Sequence, residues 1–265
     1  MKVLRQPPVW LLRVLVLVAI LLVWHVGTTL ASSPYFPQPA KVFERFAELF
    51  LPTAQSAVPR GLVEDLLPGF GRMLVGYFIA IVVGVMLGAA LGLVEILDDL
   101  GDWVMQFLRA VPPPALFPVF LVLFGTGDAM RITLIAFGTV WPILLNTIEG
   151  VRAVDGGKRE AAKVYRISAW DRFMRIILPA AAPTMLAGIR TSLALGLILM
   201  VISEMVAATN GLGFQLLQSQ RSFNTLGMWA AILALAILGY LSNLGLTFVE
   251  RRVLRWQRLS GKETA

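Results

Sequence analysis

The chain of 265 residues contains no cysteine and a single histidine, His25. The first absence excludes a disulfide framework and any thiolate metal site, and the second excludes a multi-histidine site. Charge is scarce as well: Asp, Glu, Lys and Arg make up 15% of the residues, against about 25% in soluble domains. Acids are the rarer sign, 16 against 23 basic residues, which leaves a net charge of +7. Nucleotide chemistry has no foothold either. Gly157-Lys158 and Gly261-Lys262 do not complete a G-x-x-x-x-G-K-[ST] phosphate loop, because Arg152 and Trp256 stand where the first glycine belongs. Neither H-E-x-x-H nor G-x-S-x-G occurs, so hydrolytic chemistry finds no support.

What the chain has in abundance is apolar side chains, 57% of its residues, with a mean hydropathy of +0.76. A single aqueous core of this size cannot hide so much apolar surface, so most of it must meet lipid. Six stretches are long enough for a hydrocarbon core that needs about 20 helical residues: 9–30, 66–94, 103–124, 130–151, 180–208 and 227–250. The connectors are too short for a separate folded domain, so residues 1–265 are expected to form one all-α transmembrane domain. The first span resembles a signal peptide, yet Arg13 interrupts it and its apolar run is long, so a retained anchor is expected.

Basic residues set the orientation. The N-terminal tail (Lys2, Arg5), the 152–175 loop (Arg152, Lys158, Arg159, Lys163, Arg166, Arg172, Arg175) and the C-terminal tail (Arg251, Arg252, Arg255, Arg258, Lys262) outweigh the opposite face, which has Lys41, Arg45, Arg60, Arg131 and Arg221. Both termini and the long loop are therefore expected in the cytoplasm, and the excess of positive charge reads as topology rather than nucleic-acid binding. On the other side, Lys41 to Phe50 has helical apolar spacing and reads as a short interfacial helix or a cover for the bundle's edge.

Within the spans, Gly76, Ala80, Gly84, Gly88 and Gly92 recur every four residues, and Gly188, Ser192 and Gly196 repeat the device. Such faces let another helix approach closely, and internal packing is the plainer expectation than a subunit interface. The third span breaks at Val111-Pro112-Pro113-Pro114 and again at Pro118, where each proline removes a donor and clashes with the preceding turn. Broken backbone at membrane depth either packs against protein or lines a watery cavity. Charges inside spans are few. Arg13, Arg72 and Glu149 are expected to snorkel to the surface. Arg109, Arg190 and Glu204 are candidate pathway residues together with Pro112 and Pro113, with pairing to other helices the open alternative. Arg190 and Glu204 lie 14 residues apart on one helix, about 21 Å along nearly the same face.

The 152–179 segment carries organised helical signals. Asp155 is placed to cap a short helix running to Arg166, and Ser168-Ala169-Trp170-Asp171 is a capping box. Trp170, Phe173, Met174 and Ile177 then follow at helical spacing until Pro179, which is expected to end this second helix. A basic surface holding lipid headgroups is one reading and a docked protein partner the other.

Glu160-Ala161-Ala162, followed by Ile176, Leu178 and Pro179, resembles the EAA loop of permease subunits of ATP-binding-cassette importers. Arg109-Ala110-Val111-Pro112 through Phe117-Pro118, then Phe124-Gly125-Thr126-Gly127, resembles the subfamily handling taurine, alkanesulfonates, nitrate and bicarbonate, as does Glu204-Met205-Val206-Ala207-Ala208 with Gly211-Leu212-Gly213. The resemblance implies a type I importer fold of about six helices in a prokaryotic cytoplasmic membrane. It also implies a second permease subunit, most simply a second copy, two ATPase subunits, and a periplasmic or lipid-anchored binding protein. ATP and Mg would be held by the ATPase partner, with no cofactor in this chain. By the same resemblance Glu160, Ala161, Ala162, Tyr165 and Arg166 belong to the helix that couples to the ATPase. Where the family has glycine, this chain has Arg166, so either a side chain is strained by roughly 1 kcal/mol at positive φ or the turn is built differently. An ATP-independent transporter or channel, or a permease for heterocyclic vitamin precursors, are the competing functional readings.

Overall fold

A computed structural model describes residues 8–52, 58–157, 162 and 164–255. Its helices are α1 (Val9–Ala31), α2 (Pro39–Phe50), α3 (Leu67–Leu93), α4 (Glu95–Ala110), α5 (Phe117–Phe124), α6 (Asp128–Arg152), α7 (Leu178–Ala207), α8 (Leu212–Arg221) and α9 (Thr225–Val253). Among the described residues five helical stretches are long and apolar enough to cross a membrane, and Leu100–Ala110 with Pro113–Phe124 passes the same test as a pair bent by 84°, a sixth crossing if the pair is one span. The expected break in the third span is therefore present. Its backbone leaves α4 at Val111 and passes through a 3-10 turn over Pro113–Leu116.

Two spans start earlier than their hydropathy suggests. A π-helical turn, Gly61–Leu66, runs into α3, and Ala169–Arg172 with a π-helical turn at Phe173–Ile177 runs into α7. Pro179 thus does not end a helix, contrary to the sequence expectation. A proline ring collides with the carbonyl four residues back in a regular helix. Here Leu178 N–H bonds instead to Phe173 O, five residues back, and the widened turn takes the ring in. The same device precedes Pro68, where Leu67 N–H bonds to Leu62 O.

Helix α6 is the axis of the bundle, gripped from both sides by small-residue faces. A Cβ on Gly76 or Gly88 of α3 would lie 2.7 Å from the carbonyl oxygen of Ile132 or Leu144 in α6. On the other side, a Cβ on Gly188 of α7 would lie 2.5 Å from Pro142 O. Ser192 Oγ donates to Thr139 O at 2.7 Å, and Tyr77 Oη of α3 donates to Ile189 O of α7 at 2.6 Å. Both small-residue stripes are thus internal packing devices. Buried Met73, Ile135, Ile143, Leu193, Leu199 and Met200 fill the space between these three helices.

The periphery is lightly attached. Helix α2 buries Val42 and Phe50 and keeps the Arg45–Glu48 ion pair outside, so it covers the bundle's edge. Along α1 only Thr28 is buried. That helix is moored where Trp24 packs on Trp229 of α9, whose Nε1 donates to Tyr35 O at 3.1 Å. Its exposed apolar surface on every side is what a lipid-facing span requires.

Candidate functional site

Three places carry polar chemistry: a loop at one end of the bundle, the α4–α5 elbow at mid-depth, and a cluster of charges at the opposite end.

The loop follows α6. Asp155 Oδ1 accepts from Gly157 N–H at 2.9 Å, the expected N-cap. Glu160 and Ala161, with Lys158, Arg159 and Lys163, lie outside the described residues. Ala162 is buried, so its small side chain packs inward. Among the described residues of this loop, Val164 and Tyr165 are each 79% exposed and Trp170 beyond them 67%. Ile167 N–H donates to Ala162 O at 3.0 Å across a left-handed residue, Arg166, at φ 51°. That is a Schellman closure with arginine where glycine is favoured. The turn keeps its form and accepts the strain. Arg166→Gly should therefore stabilise this closure by up to about 1 kcal/mol, read as roughly fivefold slower hydrogen exchange of the Ile167 amide. Ser168 caps the next helix as expected, its Oγ accepting from Asp171 N–H at 3.1 Å, while the Asp171 carboxylate accepts from that hydroxyl at 2.8 Å.

The elbow sits beside the middle of α6, where a Cβ on Gly138 would lie 3.1 Å from Pro113 Cγ. Phe117 is buried against Met130 and Leu134, and Phe120 meets Phe137 edge-on, with centroids 5.9 Å apart. These contacts hold α5 to α6. The other side is open: Arg109, Pro112, Pro114 and Ala115 are exposed, and Val122 is 86% exposed. Arg109 Nη2 donates to Gln106 Oε1 of its own helix.

At the far end, Arg72 does not snorkel, contrary to expectation; it is buried at the hub of a network. Its Nη2 donates to Glu204 Oε1 at 3.1 Å, and its Nη1 to Asp128 Oδ1 at 3.0 Å and Asn210 Oδ1 at 3.1 Å. Arg131 Nη1 donates to the same Asp128 oxygen at 3.1 Å. Glu204, 1% exposed, also accepts from Gly213 N–H at 3.0 Å, and Asp65 Oδ1 accepts from Gly211 N–H at 3.0 Å. Three glycines make room for the carboxylate: a Cβ on Gly69 or Gly211 would overlap its oxygens, and one on Gly213 would lie 2.9 Å from Glu204 Cβ. Gly211 has φ 116°, open to glycine and rarely to other residues. The Glu204 and Gly211-Leu212-Gly213 motif is therefore one structural unit that anchors the start of α8 on α3 and α7.

Among the sequence candidates, Glu204 and Arg190 take partners on other helices, Arg190 with Glu250 of α9. The two do not meet, and neither joins Arg109. No local sequence signal groups Asp65, Arg72, Asp128 and Asn210, because the contacts joining them to one another and to Glu204 and Gly211 span 56 to 146 positions of sequence.

Residues 80–255 match the family described as binding-protein-dependent transport system inner membrane component. The taurine transport system permease protein TauC of Escherichia coli is 31% identical over 88% of this chain and 84% of its own. The nitrate import permease protein NrtB of Leptolyngbya laminosa is 29% identical over 75% of this chain and 71% of its own. In fold, a chain of the MetNI methionine ABC transporter in an inward-facing conformation superposes with a TM-score of 0.63. It is 21% identical and covers 72% of this chain and 95% of that one. The chain belongs to the family of inner-membrane components of binding-protein-dependent transport systems, and is a multi-pass permease subunit of an ATP-binding-cassette importer whose ATPase is a separate protein.

Proposed function

We propose that this chain forms half of a translocation pathway for a small oxyanion such as taurine, another sulfonate or nitrate, and that alternating access is driven by ATPase subunits docked on the 152–179 loop. The observation carrying this reading is the elbow. Backbone broken at mid-membrane depth and left open on one side is tolerated only against protein or water, not lipid. A second copy facing it across a watery cavity satisfies both conditions, so a homodimer is the natural assembly. The whole chain then acts as one membrane unit. Exposed Val164, Tyr165 and Trp170 at the loop end suit a protein partner better than bulk water, and the basic excess on that side supports a cytoplasmic position for the loop and both termini. The taurine and nitrate permeases among the relatives support an anionic substrate.

The test is uptake of labelled taurine, methanesulfonate and nitrate by proteoliposomes holding the permease, its ATPase and its binding protein. Uptake should need ATP. Glu160→Lys and Tyr165→Glu should leave membrane insertion intact while abolishing substrate-stimulated ATP hydrolysis. Uptake by the permease alone would replace this reading with an ATP-independent transporter, and full coupling in both variants would remove the loop from the mechanism.

A further inference from the structure

The guanidinium groups in the spanning helices are not equivalent. Arg72 is answered by Glu204 and Asp128, Arg131 by Asp128, and Arg190 by Glu250. Arg13 lies in the second turn of α1, near the helix end, where a long side chain reaches the surface. Arg109 differs from all of these. Among the described residues it has no acidic partner within ion-pair distance; its hydrogen bond goes to the neutral Gln106. Gln106 in turn donates to Asp102 Oδ1 at 3.3 Å, one turn nearer the loop end. The amide is thus held from below and fixes one edge of the guanidinium, leaving the rest of the fork open. The residue is exposed and sits one turn before the proline break at mid-depth.

A cation at that depth is costly against hydrocarbon and cheap where water or an anion meets it. The planar fork suits the oxygens of a sulfonate or nitrate, which it can grip at two points. Glu204, the carboxylate that would repel such a substrate, is buried, neutralised by Arg72 and enclosed by glycines. We propose that Arg109 is the anion-selecting residue of the pathway, meeting the oxyanion at the elbow. The assignment rests on the reading of the elbow as a pathway wall.

The cysteine-free chain allows the two ideas to be separated. Ala115→Cys places a single thiol in the permease on the open side of the elbow. In the assembled transporter in proteoliposomes, its rate of reaction is measured with a sulfonate-bearing methanethiosulfonate and with a trimethylammonium-bearing one, followed by mass shift of the permease. The ratio of anionic to cationic rate should fall about fivefold or more on adding Arg109→Gln and stay within about twofold for Arg109→Lys, as loss of one nearby charge implies. Uptake of labelled taurine and methanesulfonate should fall at least tenfold in Arg109→Gln and by less in Arg109→Lys, which keeps the charge but loses the two-point grip. Reaction with an unchanged ratio overturns the role of Arg109 while leaving the pathway wall standing, and so does undiminished uptake in Arg109→Gln. Failure of both reagents to react in every nucleotide state overturns the wall and the anion site together.

Discussion

Glu204→Leu should destabilise the subunit by about 3–5 kcal/mol, the cost of leaving a buried charge without its partner. Arg72 would keep Asp128 and Asn210, but Asp128 is 64% exposed in its side chain and shared with Arg131, so it is a weak substitute. The lost carboxylate also strips Gly213 N–H of its acceptor at the start of α8. Glu204→Gln retains an acceptor for that amide and should fall between wild type and leucine. The double variant Glu204→Leu, Arg72→Met removes both charges and should recover much of the loss, because a buried pair replaced by apolar groups is often neutral or better. Thermal denaturation in detergent of wild type, Glu204→Leu, Arg72→Met and the double variant, run as a cycle, checks the coupling. Additive effects of the two single changes would show that the pair does not act as a unit.

Gly188→Ala should be as damaging, though it adds only a methyl group. The new carbon would lie 2.5 Å from Pro142 O and 2.7 Å from Asn146 Cβ. The oxygen belongs to helix backbone and cannot step aside without moving α6, so the cost should reach about 3 kcal/mol, the upper end of overpacking. Gly71→Ala and Gly245→Ala make the contrast, because nothing lies within 4 Å of a Cβ at either place. Those two should be neutral or should gain up to about 1 kcal/mol from helix propensity. Expression level and melting temperature of the three variants separate the seam from ordinary helical glycine; equal behaviour of all three would refute the seam.

These two predictions also mark where sequence reasoning reached and where it stopped. Glycine spacing is local, so the stripes on α3 and α7 could be read directly, and only their common partner, α6, needed the structure. The proline break is equally local, since the ring forbids regular helix whatever surrounds it. Arg166 was legible through a departure from glycine, and its positive φ follows. The charge cluster was not legible. Arg72 stands five residues into α3, a place from which a long side chain can reach water, and nothing nearby in sequence announces that Asp128, Glu204 and Asn210 converge on it. Pro179 misled for a different reason: helix termination by proline assumes a regular ladder, and the π-helical turn before it removes the clash on which that rule depends.

The helix that rises without a break from Ala169 has a mechanical consequence. From Ala169 to Glu204 it is a strut of about 52 Å at 1.5 Å per residue, with Trp170 at one tip and the charge cluster clamped to the other. A load applied at Trp170 reaches the cluster through continuous helix whose ladder is loosened at Phe173–Ile177 and at Pro183. Tilting such a strut by about 5° about one end sweeps the other through about 4.5 Å, and because Glu204 is fastened to α3 and α8, those helices travel with it.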